Sequence, residues 1–178
     1  MLNINKTYLI VMLLSLVATA CNRSQSDANN IHHQPDLLQE QLIHANKAVV
    51  KTENQQIEDL IERYGWNMIT TGTGLRYQVV ESQGGPLITR GQKVSMHYSV
   101  RLIDGTEVYS SQKQGILTFE TGKGQVVAGL EEAMLQLRNH EKARVIVPSF
   151  LGHGLSGDGD QIPPKATMIY TIEIIYVE

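Results

Sequence analysis

Two ten-residue stretches set the problem this chain has to solve. Lys93-Val94-Ser95-Met96-His97-Tyr98-Ser99-Val100-Arg101-Leu102 alternates polar with apolar side chains, and Met168 to Val177 repeats the alternation. Successive side chains of a strand point to opposite faces. Each stretch therefore predicts a half-buried strand whose apolar face must be covered. The cover is legible downstream. Gly129 opens a helical segment, 129–138, in which Leu130, Ala133, Met134 and Leu137 share a face, with Glu131 and Glu132 in its first turn. Shorter extended segments surround it. Met68, Leu75, Tyr77 and Val79 mark a first strand region. Asp104-Gly105 is a turn leading to Glu107–Tyr109, Leu117 and Phe119 form a strand ending near Gly122, and Arg144–Val147 is stopped by Pro148. A glycine-rich loop runs from Gly152 to Gly159. The expectation is an α+β domain: an antiparallel sheet, one short helix, several long loops, and a ligand site between them.

The preceding sequence has another period. Leu37, Leu38, Leu42, Ala45 and Val49, then Ile57, Leu60, Ile61 and Tyr64, recur at helix-like intervals, with a polar gap over 51–56. Pro35-Asp36 is a start signal and Gly65 a stop. This predicts a helical neck over residues 36–66, as one interrupted helix or two shorter ones, before a domain of residues 67–178. Packing against its own domain and pairing with a second copy are both open to such a neck.

Residues 1–20 have the layout of a secretory signal: Lys6 near the amino terminus, an apolar run from Tyr8 to Ala18, and small residues Ala18-Thr19-Ala20 before Cys21. The run is short for a spanning helix, which needs about 20 apolar residues. Lipid transfer requires a thiol nucleophile at the junction, and Leu16-Val17-Ala18-Thr19-Ala20-Cys21 looks like a bacterial lipobox. The expectation is cleavage before Cys21 and acylation of its sulfur; two or three chains, at about 0.8 kcal/mol per buried methylene, anchor far better than one. A plain secretory signal with an incidental cysteine is the alternative. Cys21 is the chain's only cysteine, and it falls where lipidation requires it. Residues 21–35 then form a polar tether. Asn22 rather than Asp follows the cysteine, which by resemblance to lipoprotein sorting signals addresses the periplasmic face of the outer membrane.

Composition excludes several classes. Net charge is −3 and no basic tract offers phosphates a surface, so nucleic acid is not an expected partner. One cysteine rules out an internal disulfide or a multi-cysteine metal site. His32, His33 and His44 lack a carboxylate framework, and no metal or cofactor is expected. Gly122-Lys123-Gly124 lacks the spacing and following Ser/Thr of a phosphate loop, so turn geometry explains it better.

Several separated motifs, weak singly, are specific in this order: Gly91-Gln92-Lys93-Val94 with Met96-His97-Tyr98; Leu102-Ile103-Asp104-Gly105-Thr106; Ser110-Ser111; Phe119-Glu120-Thr121-Gly122; Val126-Val127-Ala128-Gly129-Leu130-Glu131-Glu132-Ala133; and Ile162-Pro163-Pro164-Lys165-Ala166-Thr167 with Met168-Ile169-Tyr170. From about residue 75 to 178 the chain resembles the FKBP-type peptidyl-prolyl cis-trans isomerases. Lipobox, neck and domain together are similar to the gliding-motility-associated isomerase lipoproteins. The resemblance implies a strongly twisted antiparallel sheet wrapped around a short helix, with a pocket for a proline-containing peptide.

It also implies site residues. Tyr98, Phe119 and Tyr170 match aromatic wall positions. Val126 and Val127 match the segment beside the floor, with the Val127 N–H expected to hold a substrate carbonyl, and Ile162 matches a ligand-contacting loop residue. Other positions depart from the family pattern. Val108 and Leu117 stand where large aromatics are usual, Tyr109 where an acid is usual, and Leu130 where tryptophan commonly forms the floor. His153 best matches a hydrogen-bonding loop tyrosine, although Gly152 takes that place in another alignment. A large aromatic can bury 150–250 Å2, so these changes predict a looser grip on proline. The implied function is proline isomerisation in exported envelope proteins; the alternative is a weakly catalytic or non-catalytic binding module, or a structural lipoprotein of a secretion or motility machine. For core packing instead of ligand contact, Tyr98, Phe119, Tyr170 and Ile162 are all suitable too.

Overall fold

The computed structural model describes residues 34–178; the signal segment and Cys21 lie outside the described residues. One unbroken helix, α1 (Gln34–Tyr64), runs straight through the polar gap at 51–56. That gap holds Lys, Thr, Glu, Asn and Gln but no glycine or proline, so nothing in it breaks a helix. Gly65 ends α1 in the left-handed region (φ +62), with its N–H on the Glu62 carbonyl and the Trp66 N–H on that of Ile61.

The chain divides into two units between Val49 and Val50. In the first, the α1 side chains Leu37, Leu38, Leu42 and Ile43 are exposed. The second holds the remainder of α1 and a seven-stranded sheet. Its strands are β1 (Ile69–Thr70), β2 (Arg76–Glu81), β3 (Lys93–Leu102), β4 (Glu107–Ser110), β5 (Leu117–Glu120), β6 (Lys142–Val147) and β7 (Met168–Val177), with a one-turn helix α2 (Ser111–Gln114) between β4 and β5. The order is β1-β2-β6-β7-β3-β4, and β5 also pairs with β3. Every pairing is antiparallel. The two alternating stretches of the sequence are the central pair, β3 and β7, matched from Val94↔Val177 to Leu102↔Met168.

The apolar face is covered as the alternation requires. Helix α3 (Ala128–Met134) and the turn after it press Leu130, Ala133, Met134 and Leu137 onto Met96 and Val100 of β3, Val145 and Val147 of β6, and Met168 and Ile172 of β7, all buried. Gly129 permits the approach, since a Cβ there would stand 2.4 Å from Val147 Cγ1.

The other face is covered too, at one end. Ile57 and Leu60 of α1 pack on Ile146 and Ile169, with Trp66 and Met68 at the margin. This accounts for the two breaks in alternation, Val145-Ile146-Val147 and Met168-Ile169-Tyr170, because a strand buried on both faces reads as a continuous apolar run. Burying each such Ile or Leu contributes about 1.5–3 kcal/mol. Polar contacts fix the docking. The buried Arg76 guanidinium donates to Asn54 and pairs with Glu58, and Arg144 lies 4.1 Å over the Trp66 ring.

Candidate functional site

A hollow of about 420 Å3 opens between the covered face of the sheet, the start of α3 and the β6–β7 connection. The sheet supplies Tyr98 and Val100 from β3, Tyr109 from β4, Leu117 from β5 and Tyr170 from β7. The segment entering α3 supplies Gln125, Val126 and Val127, with Leu130 below them; His153 and Ile162 come from the β6–β7 connection. The walls are mostly aliphatic and aromatic, the usual character of a site for a small apolar group.

Ring positions follow from strand register. Tyr98 lies opposite Ile172, and Val100 opposite Tyr170, on the covered face. The Tyr98 hydroxyl donates to Gln114 Oε1 on α2 (2.8 Å), which holds the ring at the rim. Burial raises the Tyr98 phenol above its ordinary pKa. The Tyr170 phenol is pushed further up, first by its deeper burial and then by Tyr98 beside it. Both rings are neutral at physiological pH and serve as apolar surface with a polar tip.

Below them, the turn before α3 is clamped. Glu131 accepts the N–H groups of Gly122 (2.5 Å) and Gly124 (2.9 Å), and Gln125 Oε1 accepts the Glu120 N–H. The two glycine amides of the Gly122-Lys123-Gly124 turn are thus satisfied by a carboxylate of the same chain. Val127 is the N-cap of α3, in extended conformation, and its carbonyl accepts the Leu130 and Glu131 N–H groups. Its own N–H has no hydrogen-bond partner among the described residues. A carbonyl entering the hollow would satisfy it.

The fourth wall is fastened by Asp158. The Tyr109 hydroxyl donates to Asp158 Oδ2, while Oδ1 accepts the N–H groups of Asp160 (2.9 Å) and Ile162 (2.8 Å). Burial alone would raise the Asp158 carboxyl, but these three donors and the nearby His153 outweigh it and hold the group down at about 2. The same bond, with burial and the Asp158 charge, pushes Tyr109 up to about 12. Tyr109 stands at a position where an acid was expected from the resemblance; here the loop brings a carboxylate to it.

Residues 85–175 match the family model described as FKBP-type peptidyl-prolyl cis-trans isomerase, just over half of the chain. The chain belongs to the FKBP-type isomerase family. It is 37% identical over 90 residues to the peptidyl-prolyl cis-trans isomerase FKBP2 of Mus musculus, a match spanning 50% of this chain and 64% of that relative. It is 35% identical over 94 residues to an FK506-binding protein of Neisseria meningitidis serogroup C, covering 52% of this chain and 86% of that one. The crystal structure of AtFKBP13 superposes with a TM-score of 0.59 at 27% identity, over 63% of this chain and 99% of that chain. The α+β architecture expected from the sequence is therefore the FKBP-like one.

Within this FKBP-type domain, the structure brings Tyr98, Tyr109, Leu117, Val126, Val127, Leu130, His153, Ile162 and Tyr170 to the one hollow. Phe119 and Val108 are placed elsewhere, in the packed core at 4% exposure each. Register explains Phe119: it pairs with Val94, at the far end of β3 from Tyr98 and Val100. Val108 is the extra residue of a β-bulge, since Val100 pairs with Tyr109 but Arg101 with Glu107. Two lining residues, Val100 and Gln125, were not singled out from the sequence. Val100 was visible in the alternation of β3, whereas Gln125 had no sequence signal. A second concavity, on the opposite face of the sheet, is edged by charged groups that already pair: Lys142 with Glu81 and Glu173, and Arg101 with Glu107. A larger share of its lining is polar than in the hollow.

Proposed function

We propose that this domain catalyses cis–trans rotation of X–Pro peptide bonds. The carrying observation is the convergence of Tyr98, Tyr170, Ile162 and Leu130 on one apolar hollow that also includes Val127, whose N–H has no partner among the described residues. The reaction breaks no covalent bond. Amide rotation must climb about 18–20 kcal/mol, and spontaneous X–Pro exchange takes tens to hundreds of seconds. The planar amide is more charge-separated than the twisted one, and an apolar cavity penalises that separation. It therefore favours the twisted form, provided the ring fits and a carbonyl stays hydrogen-bonded. Each 1.4 kcal/mol of such preference is worth about tenfold in rate. The Val127 N–H is the donor this scheme assigns to the substrate carbonyl, with His153 as a second, and no general base is required.

The finer reading places the domain in the bacterial cell envelope, attached through acylated Cys21, with proline-containing segments of exported proteins as clients. The order of lipobox, helix and isomerase domain supports that, and it supports a place among gliding-motility-associated lipoproteins. A second reading, a weakly catalytic binding module of an envelope complex, is favoured by one observation: Phe119 is packed in the core, so one ring fewer lines the hollow.

Short X–Pro peptides in a protease-coupled assay test the enzyme reading. Exchange faster than the spontaneous rate at micromolar protein supports it; a rate equal to that of a boiled sample removes it and leaves the binding module. Detergent partitioning of the wild type against Cys21→Ser tests the anchor, and equal aqueous partitioning of both would defeat it.

A further inference from the structure

Glu53 sits in the polar gap of α1 and is buried, at 7% exposure. Its carboxylate is engaged at both ends of one loop. Oε1 accepts the Ser149 N–H (2.6 Å) and the Thr167 hydroxyl (2.6 Å), and Oε2 accepts the Ser149 hydroxyl (2.9 Å). Ser149 and Thr167 are buried too, and they stand near the two ends of the β6–β7 connection. Between them lie His153 and Ile162, which line the hollow, and Asp158, which fastens that wall to Tyr109.

We propose that Glu53 is a positioning residue for the substrate hollow, holding both ends of the 150–166 span to α1. The inference rests on the isomerase reading for what the hollow binds, though not for the fastening itself. Physical reasons support it. Joining both ends of a loop to one rigid element removes conformations the loop would otherwise sample. Glu53 is fixed in its turn, because Ile57, one helical turn on, is fully buried in the second core. The three donors belong to buried residues, so removing the acceptor leaves the Ser149 N–H without its partner at a desolvated position. A loop held in its binding conformation a smaller fraction of the time binds more weakly in proportion to that fraction, while a peptide already bound restores it. The expected signature is therefore weaker binding with turnover of bound peptide unchanged.

The test compares Glu53→Gln with Glu53→Met in the full-length chain. The glutamine oxygen can accept from the Ser149 N–H and Thr167, and its NH2 can donate to the Ser149 hydroxyl, so all three links survive. Methionine fills the space and accepts nothing useful. Amide hydrogen exchange over residues 150–166 should accelerate about tenfold in Glu53→Met, with β3 and β5 unchanged and Glu53→Gln close to wild type. The Kd for an X–Pro peptide should rise about tenfold and kcat should hold. Thr167→Val, which removes one link from the loop side, should give part of the effect and serves if Glu53→Met does not fold. Unchanged loop exchange in Glu53→Met, or equal acceleration of every segment, overturns the proposal; the latter makes Glu53 a stability residue only. Should the wild type fail to accelerate proline exchange, the isomerase reading falls, while the hydrogen-exchange arm still decides the role of Glu53.

Discussion

Replacing Tyr109 by Phe removes one oxygen and leaves the ring in the wall of the hollow. The lost group is the donor to Asp158 Oδ2; Oδ1 keeps the N–H groups of Asp160 and Ile162. A hydrogen bond to a charged partner contributes about 1.5–3 kcal/mol when sheltered. Both residues here are only partly buried, and water can replace part of the bond, so we expect a loss of about 1 kcal/mol. For a unit of this size that is roughly 3–5 °C in Tm. The pH dependence separates this bond from generic damage. Asp158 is depressed to about 2 in the folded protein, so its contribution is present above the ordinary 3.8 and is lost as pH falls through about 2. Tyr109 is raised to about 12, so its contribution is present below 10.0 and is lost as pH rises through about 12. The stability difference between wild type and Tyr109→Phe, measured by urea denaturation, should be flat from about pH 4 to pH 10 and shrink at both extremes. In the variant the Asp158 titration, followed by carboxyl NMR, should move up toward 3.8. A difference that stays constant to pH 2, or an Asp158 midpoint that does not move, would refute the reasoning.

Three further outcomes follow from packing. Ile57→Ala should cost about 2–5 kcal/mol in urea denaturation, because Ile57 is fully buried between α1 and the sheet; a loss under 1 kcal/mol would mean that α1 contributes little to the unit. Gly129→Ala should destabilise by about 1–3 kcal/mol despite alanine's better helix propensity, since the new methyl meets Val147 at 2.4 Å; a more stable variant contradicts the close approach. Arg144→Ala should red-shift the fluorescence of Trp66, the chain's only tryptophan, by opening its face to water; an unchanged spectrum denies the stacking.

Elements with a strict period were the legible ones. The alternation at 93–102 and 168–177 marks β3 and β7 to the residue, because one face of each is buried along most of its length. The apolar face of α3 was equally plain, although the helix closes at Met134 and Leu137 reaches the core from the turn after it. Interactions joining distant segments left no such trace. Glu53 read as part of a polar gap because its partners lie about a hundred residues away, at Ser149 and Thr167. Asp158 read as one acid in a glycine-rich loop because its partner Tyr109 lies on another strand. The rings show the same limit: Tyr98 and Phe119 both stand at aromatic positions of the resemblance, but only register along β3 decides that one faces the hollow and the other the core.

The central claim is that an apolar hollow, with the Val127 N–H beside it, stabilises a half-rotated proline amide. Exchange NMR on an X–Pro peptide, with the amide of Val127 observed in the same sample, addresses it most directly. The account predicts faster interconversion of cis and trans peptide signals than without protein, a shift of the Val127 amide on peptide addition, and loss of both in a folded Tyr98→Ala variant. Peptide exchange that stays at its spontaneous rate while the Val127 amide does not move would contradict it.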